Sequence, residues 1–414
     1  MWGVSRRAVL WVAFVVVHAL VAVLGFVMPT EPMGDVYRVY EPWSTAALNG
    51  GGIVGITEPW VYPQLALVPM LAAHLFDWVS GTYTVSWAVL VTICDALAFA
   101  VLVGRARSRG RVAAAWFWLA FVALLGPVYM YRLDALTVPL AVAGCLWLVG
   151  RPLLGSVLLS IATWMKVWPA ALIAAALIAV RRRLSVLAGA LLVSAVTIGV
   201  VALAGGAAYT FGFIGDQTGR GLQIEAPVSG LYVWATVLHV PGASIFYSPE
   251  MLTFEVTGPH VNAVIALMTP LLVVAVGAIA AIGALKAWRG ASFAALFPDL
   301  ALALVVAFIF FNKVGSPQYY TWIVAPLVMG LVIERRRWRA PVVLGLVIAG
   351  LTQVMYPLMY MGVLTGDPVS EFVLTARNVV VGVLLVWSVA RLVRVRPRGR
   401  STLAASSSSH TAVG

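Results

Sequence analysis

The sequence predicts an all-α polytopic membrane protein of about twelve transmembrane helices, and three observations carry that prediction. Hydrophobic residues make up 62% of the 414 and charged residues only 10%, far from the balance of a soluble globular chain. Apolar runs near the ~20 residues that a helix needs to cross a bilayer recur from residue 8 to residue 393. Lys and Arg, finally, gather in short clusters between those runs, as in loops retained on the cytoplasmic side. The same clustering rejects a nucleic-acid reading of the formal charge of +12, since the basic residues serve as loops between apolar runs.

Arg6 and Arg7 precede the first apolar stretch. It reads as a signal anchor, because no small-residue cleavage site follows it and many more spans do. Further basic clusters stand at Arg105 to Arg111, Arg151, Arg181 to Arg183, Lys286 and Arg289, Arg335 to Arg339, and Arg391 to Arg400. Placing all of them on one side dictates the number of crossings between each pair. Between residues 29 and 104 two apolar stretches occur and only one can cross. The stretch 61–79 is interrupted by Pro63, Pro69, His74 and Asp77, so it is predicted as a juxtamembrane or re-entrant helix in the first outer loop, and 85–103 as the crossing.

The run 153–180 is too short for two full spans yet must return to its own side. Lys166 and Pro169 in its middle predict two short, broken helices meeting near the outer face. The remaining spans are predicted at about 112–130, 132–149, 184–204, 261–283, 293–311, 319–334, 340–358 and 373–393. Residues 1–400 thus form a single transmembrane domain, with outer loops at about 29–84 and 205–260. Both termini face the cytoplasm, and the Ser-rich stretch 401–414 is a disordered cytoplasmic tail. Cys94 and Cys145 fall inside apolar runs and read as core thiols. His18, His74, His239 and His260 are scattered without ligand spacing, so no metal and no cofactor are predicted.

Of the 27 Lys and Arg residues, six stand apart from the clusters: Arg38, Arg132, Lys166, Arg220, Lys313 and Arg377. Each falls at the outer side or the outer end of a span. A charge within the membrane costs roughly 2.5–3.5 kcal/mol on insertion scales, so Arg132, Lys166 and Lys313 call for anionic partners. Local pairing with Asp134, Glu371 or lipid phosphate would serve any one of them, whereas a common anionic ligand is the expectation for the set. The acidic residues mirror this pattern, with Glu31, Asp35, Glu41 and Glu58 in the first loop and Asp216, Glu225, Glu250 and Glu255 in the second. Carboxylates for hydroxyls, cations for phosphate and aromatic rings for a sugar face suit a phosphorylated sugar. In GDVYRVYEPW, Asp35 and Arg38 are three apart and share a face if the segment is an α-helix. An Asp after a first span also serves as a helix cap.

The motifs come in a telling order. An Asp in the first outer loop is followed by VYPQLALVPM, YRLDALTVPLAVAG, WMKVWPAALI, RGLQIEAPVSGL and NKVGSPQYYTWIVAP. From Asp35 to Pro326 the chain resembles the GT-C superfamily of membrane glycosyltransferases. It is most similar to the actinobacterial glycosyltransferase family 87, which uses polyprenyl-phosphate-mannose to make phosphatidylinositol mannosides and lipomannan. The resemblance implies a GT-C-type fold in the plasma membrane. It also implies inverting transfer of a sugar, mannose by analogy, from a polyprenyl-phosphate donor to a glycolipid acceptor on the extracytoplasmic face. Asp35 would be the general base. Lys166, Lys313, Arg132 and Arg220 would hold the departing phosphate, and Arg38, Tyr62, Glu225, Gln318 and Tyr319 would meet sugar or acceptor. Two departures leave the acceptor open: Gln64 in Tyr62-Pro63-Gln64 where the family has a second proline, and Ala226 after Glu225 where Ser is commoner. The competing class is a transporter or flippase of a lipid-linked saccharide, which would need charges reachable from both sides. Only Asp95 and Asp299 lie deeper.

Overall fold

The computed structural model describes residues 5–249, 251 and 253–396; the side chain of Asp216, Glu250 and the stretch 401–414 lie outside that description. Helix α1 (Arg6–Val27) leads into a first long loop. That loop holds a π-turn over Val36–Tyr40, α2 (Glu41–Leu48), a 3₁₀ turn over Gln64–Ala66, α3 (Leu67–Ala73) and a 3₁₀ stretch over His74–Val79. Next come α4 (Tyr83–Val103), α5 (Arg109–Leu125), α6 (Pro127–Met130), α7 (Asp134–Trp147), α8 (Pro152–Met165), α9 (Ala170–Ala179) and α10 (Arg183–Leu203). The second long loop carries α11 (Gly212–Thr218), α12 (Gly230–Val237) and an antiparallel hairpin of β1 (Ser244–Ser248) and β2 (Thr253–Thr257). The chain closes with α13 (Val261–Trp288), α14 (Phe293–Phe310), α15 (Val324–Glu334), α16 (Arg339–Gln353), α17 (Tyr360–Thr365) and α18 (Pro368–Arg394).

Among the described residues, seven helices are long and apolar enough to cross a membrane: α1, α4, α10, α13, α14, α16 with its extension to Leu358, and α18. Their outward faces confirm the solvent. Val12, Val16 and Val23 on α1, Leu192, Val196 and Val200 on α10, and Val379, Val383 and Val386 on α18 are all about half exposed or more. Apolar stripes of that extent, at helical spacing, belong against lipid and not water. Helices α7 and α14 are wrapped by the others and nearly fully buried. The chain is a polytopic helical membrane protein, and the hairpin β1–β2 is a small addition to the expected all-helical fold.

The predicted break in 153–180 is present. Helices α8 and α9 have 14 and 10 residues, about 21 and 15 Å at 1.5 Å per residue, against a hydrocarbon core of ~30 Å. Pro169 ends helical geometry upstream of itself, and Lys166 at the break is fully extended at φ −156°. Tight packing holds the short hairpins. A Cβ at Gly155 would stand 2.7 Å from the Gly144 carbonyl oxygen, so α7 and α8 meet backbone to backbone, as small residues allow in membranes. The stretch 61–79 is helical only from Gln64 onward and leaves Val68, Leu75 and Trp78 exposed, as a helix lying along the bundle would. The predicted span 112–130 breaks at Gly126, whose φ of +61° separates α5 from α6. Residues 319–334 begin as a 3₁₀ stretch over Pro317–Ile323.

The basic clusters that can be compared share one end of the bundle. Arg6, Arg107, Arg109 and Arg335 line one cavity, and Arg109, Arg335 and Arg337 line its neighbour. Arg391 donates to the Arg337 carbonyl at 3.0 Å and pairs with Asp299 at 2.9 Å. Cys94 is half-buried and Cys145 buried, both as free thiols.

Candidate active site

The polar side chains set apart by the sequence collect at the other end of the bundle, where three ion pairs organise them. Asp35 closes the entry to the π-turn, and its Oδ2 lies 2.7 Å from Nη1 of Arg132, between α6 and α7. The two environments differ: the Asp35 side chain is 39% exposed, the Arg132 side chain 8%. Arg132 also donates from Nη2 to the Tyr356 hydroxyl at 3.2 Å, and its Nε makes no hydrogen bond within the described chain. A buried guanidinium therefore steadies a carboxylate that remains open to the outside.

The second pair joins α7 to the α8–α9 break. Lys166 Nζ lies 2.5 Å from Oδ2 of the fully buried Asp134, and the Trp322 indole donates to Oδ1 of the same carboxylate at 2.5 Å. The indole of Trp168 stacks on that of Trp322 with centroids 5.8 Å apart, and the Tyr319 ring stacks on Trp322 at 4.2 Å. Lys166 sits over the rings of Tyr62 and Tyr319, at 5.9 and 5.3 Å from their centroids. An ammonium held between a carboxylate and two aromatic faces is a defined cation site on an extended stretch of backbone.

The third pair ties the second loop to α18. Arg377 Nη1 lies 3.0 Å from Oε2 of Glu225, its Nη2 donates to the Glu225 carbonyl at 3.0 Å, and Tyr320 lies under the guanidinium at 4.8 Å. Residues 222–224 run beside β2, with Ile224 N–H donating to the Phe254 carbonyl and Gln223 N–H to the Lys313 carbonyl, each at 3.1 Å. Gly315 lies directly on the turn, since a Cβ there would stand 2.2 Å from the Ala226 nitrogen. The hairpin and the 312–316 segment thus grip the Glu225 loop from two sides. Burial pushes the Glu225 carboxyl up to about 7, with Arg377 and Arg132 pulling the other way.

Tyr62 links these parts. It is packed edge-on against Trp43 and Trp60, and its hydroxyl is pushed above its ordinary value by burial, then by Asp35 and Asp134, with Arg220 and Arg132 opposing. Lys166 thus lies over this ring, and the charges of Asp35, Asp134, Arg132 and Arg220 all act on its hydroxyl. Gln64, the departure noted in the motif, donates to the Tyr209 carbonyl at 3.0 Å and so fastens the first loop to the second.

Four of the six isolated cations, Arg38, Arg132, Lys166 and Arg377, each pair with a carboxylate of the protein. Arg38 does not accompany Asp35. The π-turn spreads a turn beyond the α spacing, and Arg38 pairs instead with Glu31, both largely exposed. Arg132, expected at a phosphate, lies against Asp35. Arg220 has a buried Nε with no hydrogen-bond partner in the described chain. Lys313 stands near Glu255 and is drawn below its ordinary value by burial, with Glu255 opposing. Gln318 Oε1 accepts from Ser316 at 2.6 Å, which shapes the turn before α15. Asp134, one of the partners the sequence offers for an isolated cation, takes Lys166, whereas Trp322 and Tyr356 have no role in the sequence reading and Tyr356 lies outside every quoted motif. Among the described residues no group of three or more His, Cys, Asp or Glu is arranged to hold a metal ion.

The fold and this constellation define a class: a helical membrane protein with a carboxylate–cation–aromatic site at one end of its bundle. No protein-family model, no curated protein and no solved structure matches the chain.

Proposed function

We propose that the chain is a GT-C-type membrane glycosyltransferase, with about twelve crossings, that moves a sugar from a polyprenyl-phosphate donor to a glycolipid acceptor at the extracytoplasmic face. The observation that carries this reading is the pairing of a half-exposed Asp35 with a buried Arg132, beside Tyr62, Lys166 and Arg220. A base must be reachable by an incoming hydroxyl and held in place, which the exposure of Asp35 and its pairing with Arg132 provide.

In this reading Asp35 takes the proton from the acceptor hydroxyl as its oxygen attacks the anomeric carbon. The bond from that carbon to the phosphate oxygen breaks, and the pair of electrons leaves on the polyprenyl phosphate. Attack opposite the departing group inverts the anomeric centre. Arg220, Lys166 and Lys313 offset the charge that builds on the phosphate. Arg220 suits a forked contact, because its buried Nε has no partner within the described chain. Arg132 positions the base. Tyr62 and Tyr319 flank the sugar, and Glu225, tied to Arg377, shapes the far wall. Arg38 meets the acceptor only at the exposed rim.

The test uses purified protein in lipid with radiolabelled polyprenyl-phosphate-mannose and a phosphatidylinositol mannoside acceptor. Wild type should transfer label, and a folded Asp35→Asn should lose it by a factor of about 10²–10⁴, the usual range for a general base. Transfer by Asp35→Asn at the wild-type rate would remove Asp35 from the chemistry. No transfer by wild type with this or related donors would turn the reading toward a transporter of lipid-linked saccharides.

A further inference from the structure

The end of the bundle opposite the candidate active site carries a cavity that the proposed transfer does not use. It has a volume of about 640 Å³ and is lined by Arg6, Arg107, Arg109 and Arg335. Its other wall is apolar, formed by Val9, Val112, Ala113 and Trp116. A second hollow of about 530 Å³ shares Arg109 and Arg335 with it. The junction is built closely: a Cβ at Gly110 would stand 2.8 Å from the carbonyl oxygens of Leu331 and Val332, so the start of α5 rests on the end of α15 and brings Arg109 beside Arg335.

Four guanidiniums are held around one concavity, and among the described residues none makes an ion pair or a side-chain hydrogen bond. Three other arginines of this end have partners within the chain. Arg391 pairs with Asp299, Arg337 with Glu334, and Arg111 donates to the Val101 carbonyl. Topology requires positive charge in these loops, but it requires neither a hollow nor an apolar wall. That wall leads onto the outer surface of the bundle, where Val9 is 42% and Trp116 44% exposed.

We infer that this cavity is a binding site for an anionic glycerophospholipid. Its phosphate would lie among the four arginines, which offer forked donors to phosphate oxygens. Its acyl chains would descend past Val9, Val112 and Trp116 along α1 and α5. Charge complementarity selects an anionic headgroup, and the continuous apolar wall selects a lipid over a soluble phosphate. Basic hollows between helices at the membrane surface take lipid headgroups on the same physical grounds. This assignment is independent of the proposed transfer activity.

The test is native mass spectrometry of delipidated protein titrated with phosphatidylglycerol or with phosphatidylcholine of the same acyl chains. Wild type, Arg107→Gln/Arg335→Gln and Arg181→Gln/Arg182→Gln are compared. The second double variant removes the same charge from a loop outside the cavity. None of these side chains makes a side-chain hydrogen bond or ion pair in the described chain, and size-exclusion profiles check the fold. The expected result is phosphatidylglycerol bound preferentially, weakened roughly tenfold or more in the Arg107/Arg335 variant and unchanged in the Arg181/Arg182 variant. Trp116→Ala should weaken the same lipid. Equal affinity in all proteins, or equal loss in both double variants, would overturn the site. Displacement by inorganic phosphate at concentrations comparable with the lipid would overturn the lipid as its occupant.

Discussion

At the scale of single residues, the three ion pairs respond differently to mutation because their burial differs. Asp134 is fully buried and Lys166 nearly so. Removing the lysine would strand a carboxylate inside the bundle, at a cost of about 3–5 kcal/mol for breaking a buried pair. Lys166→Met should therefore lower the thermal midpoint sharply in detergent, whereas Lys166→Arg should recover most of it. If both variants melt with wild type, the pair is not structural, and lost activity in Lys166→Met reports on chemistry alone. Asp35 is itself half exposed, but its loss leaves the buried Arg132 guanidinium without a counter-charge, so Asp35→Asn reports on the reaction in protein whose thermal midpoint is retained.

Glu225 adds a dependence on pH. Folding raises its carboxyl to about 7 from an ordinary value near 4.5, so the folded chain favours the protonated form. Stability from this group is complete below the unfolded value and is lost as pH rises through the folded one. The midpoint of wild type should fall between about pH 5 and pH 8 more steeply than that of Glu225→Gln, which cannot titrate. Equal slopes for the two proteins would assign the pH dependence elsewhere.

At the scale of elements, the site depends on segments that are not helical at all. The 312–316 stretch carries Lys313 and lies against the Glu225 turn through Gly315. In Gly315→Ala a methyl group would collide with the Ala226 backbone, so one segment must retreat, at a cost typical of overpacking, about 1–3 kcal/mol. The expected result is a lowered midpoint together with weaker donor binding. A variant with unchanged midpoint and binding would show that the two segments are not held together in the membrane. Pro169 works in the opposite direction, ending a helix so that Lys166 lies on extended backbone at the site. The motifs NKVGSPQYY and WMKVWP therefore mark deliberate gaps in helical structure, where irregular backbone lines a polar site.

At the scale of the whole molecule, polarity is divided between two ends. One end gathers arginines around a hollow with an apolar wall, and the other holds carboxylates, cations and aromatic rings in alternation. The His18 and Asp95 side chains, 3.0 Å apart between α1 and α4, are buried with Tyr129 and Trp118 in one hydrogen-bonded group. That group ties α1, α4, α5 and α6 to one another. The division predicts opposite exposure across the bilayer. After replacement of Cys94 and Cys145 by Ala, cysteines placed at Arg38 and at Arg182 should react with a membrane-impermeant maleimide from opposite faces. Labelling of both from the same face would refute the twelve-crossing arrangement.

Composition and the placement of Lys and Arg determined the membrane class, the interruption at Lys166 to Pro169, a helix within residues 61–79 and the list of charges set apart from the basic clusters. Those features are local, set by runs of about twenty residues and by single prolines, and so are legible in one dimension. Which carboxylate answers which cation was not. Asp134 and Lys166 are 32 residues apart and Glu225 and Arg377 152, and only helix packing brings them into contact. Arg38 met Glu31 instead within its own loop, where a π-turn replaced the α-turn assumed for Asp35 and Arg38. A pairing energy falls off over a few ångströms, so it is decided by tertiary distance, on which spacing along the chain is silent.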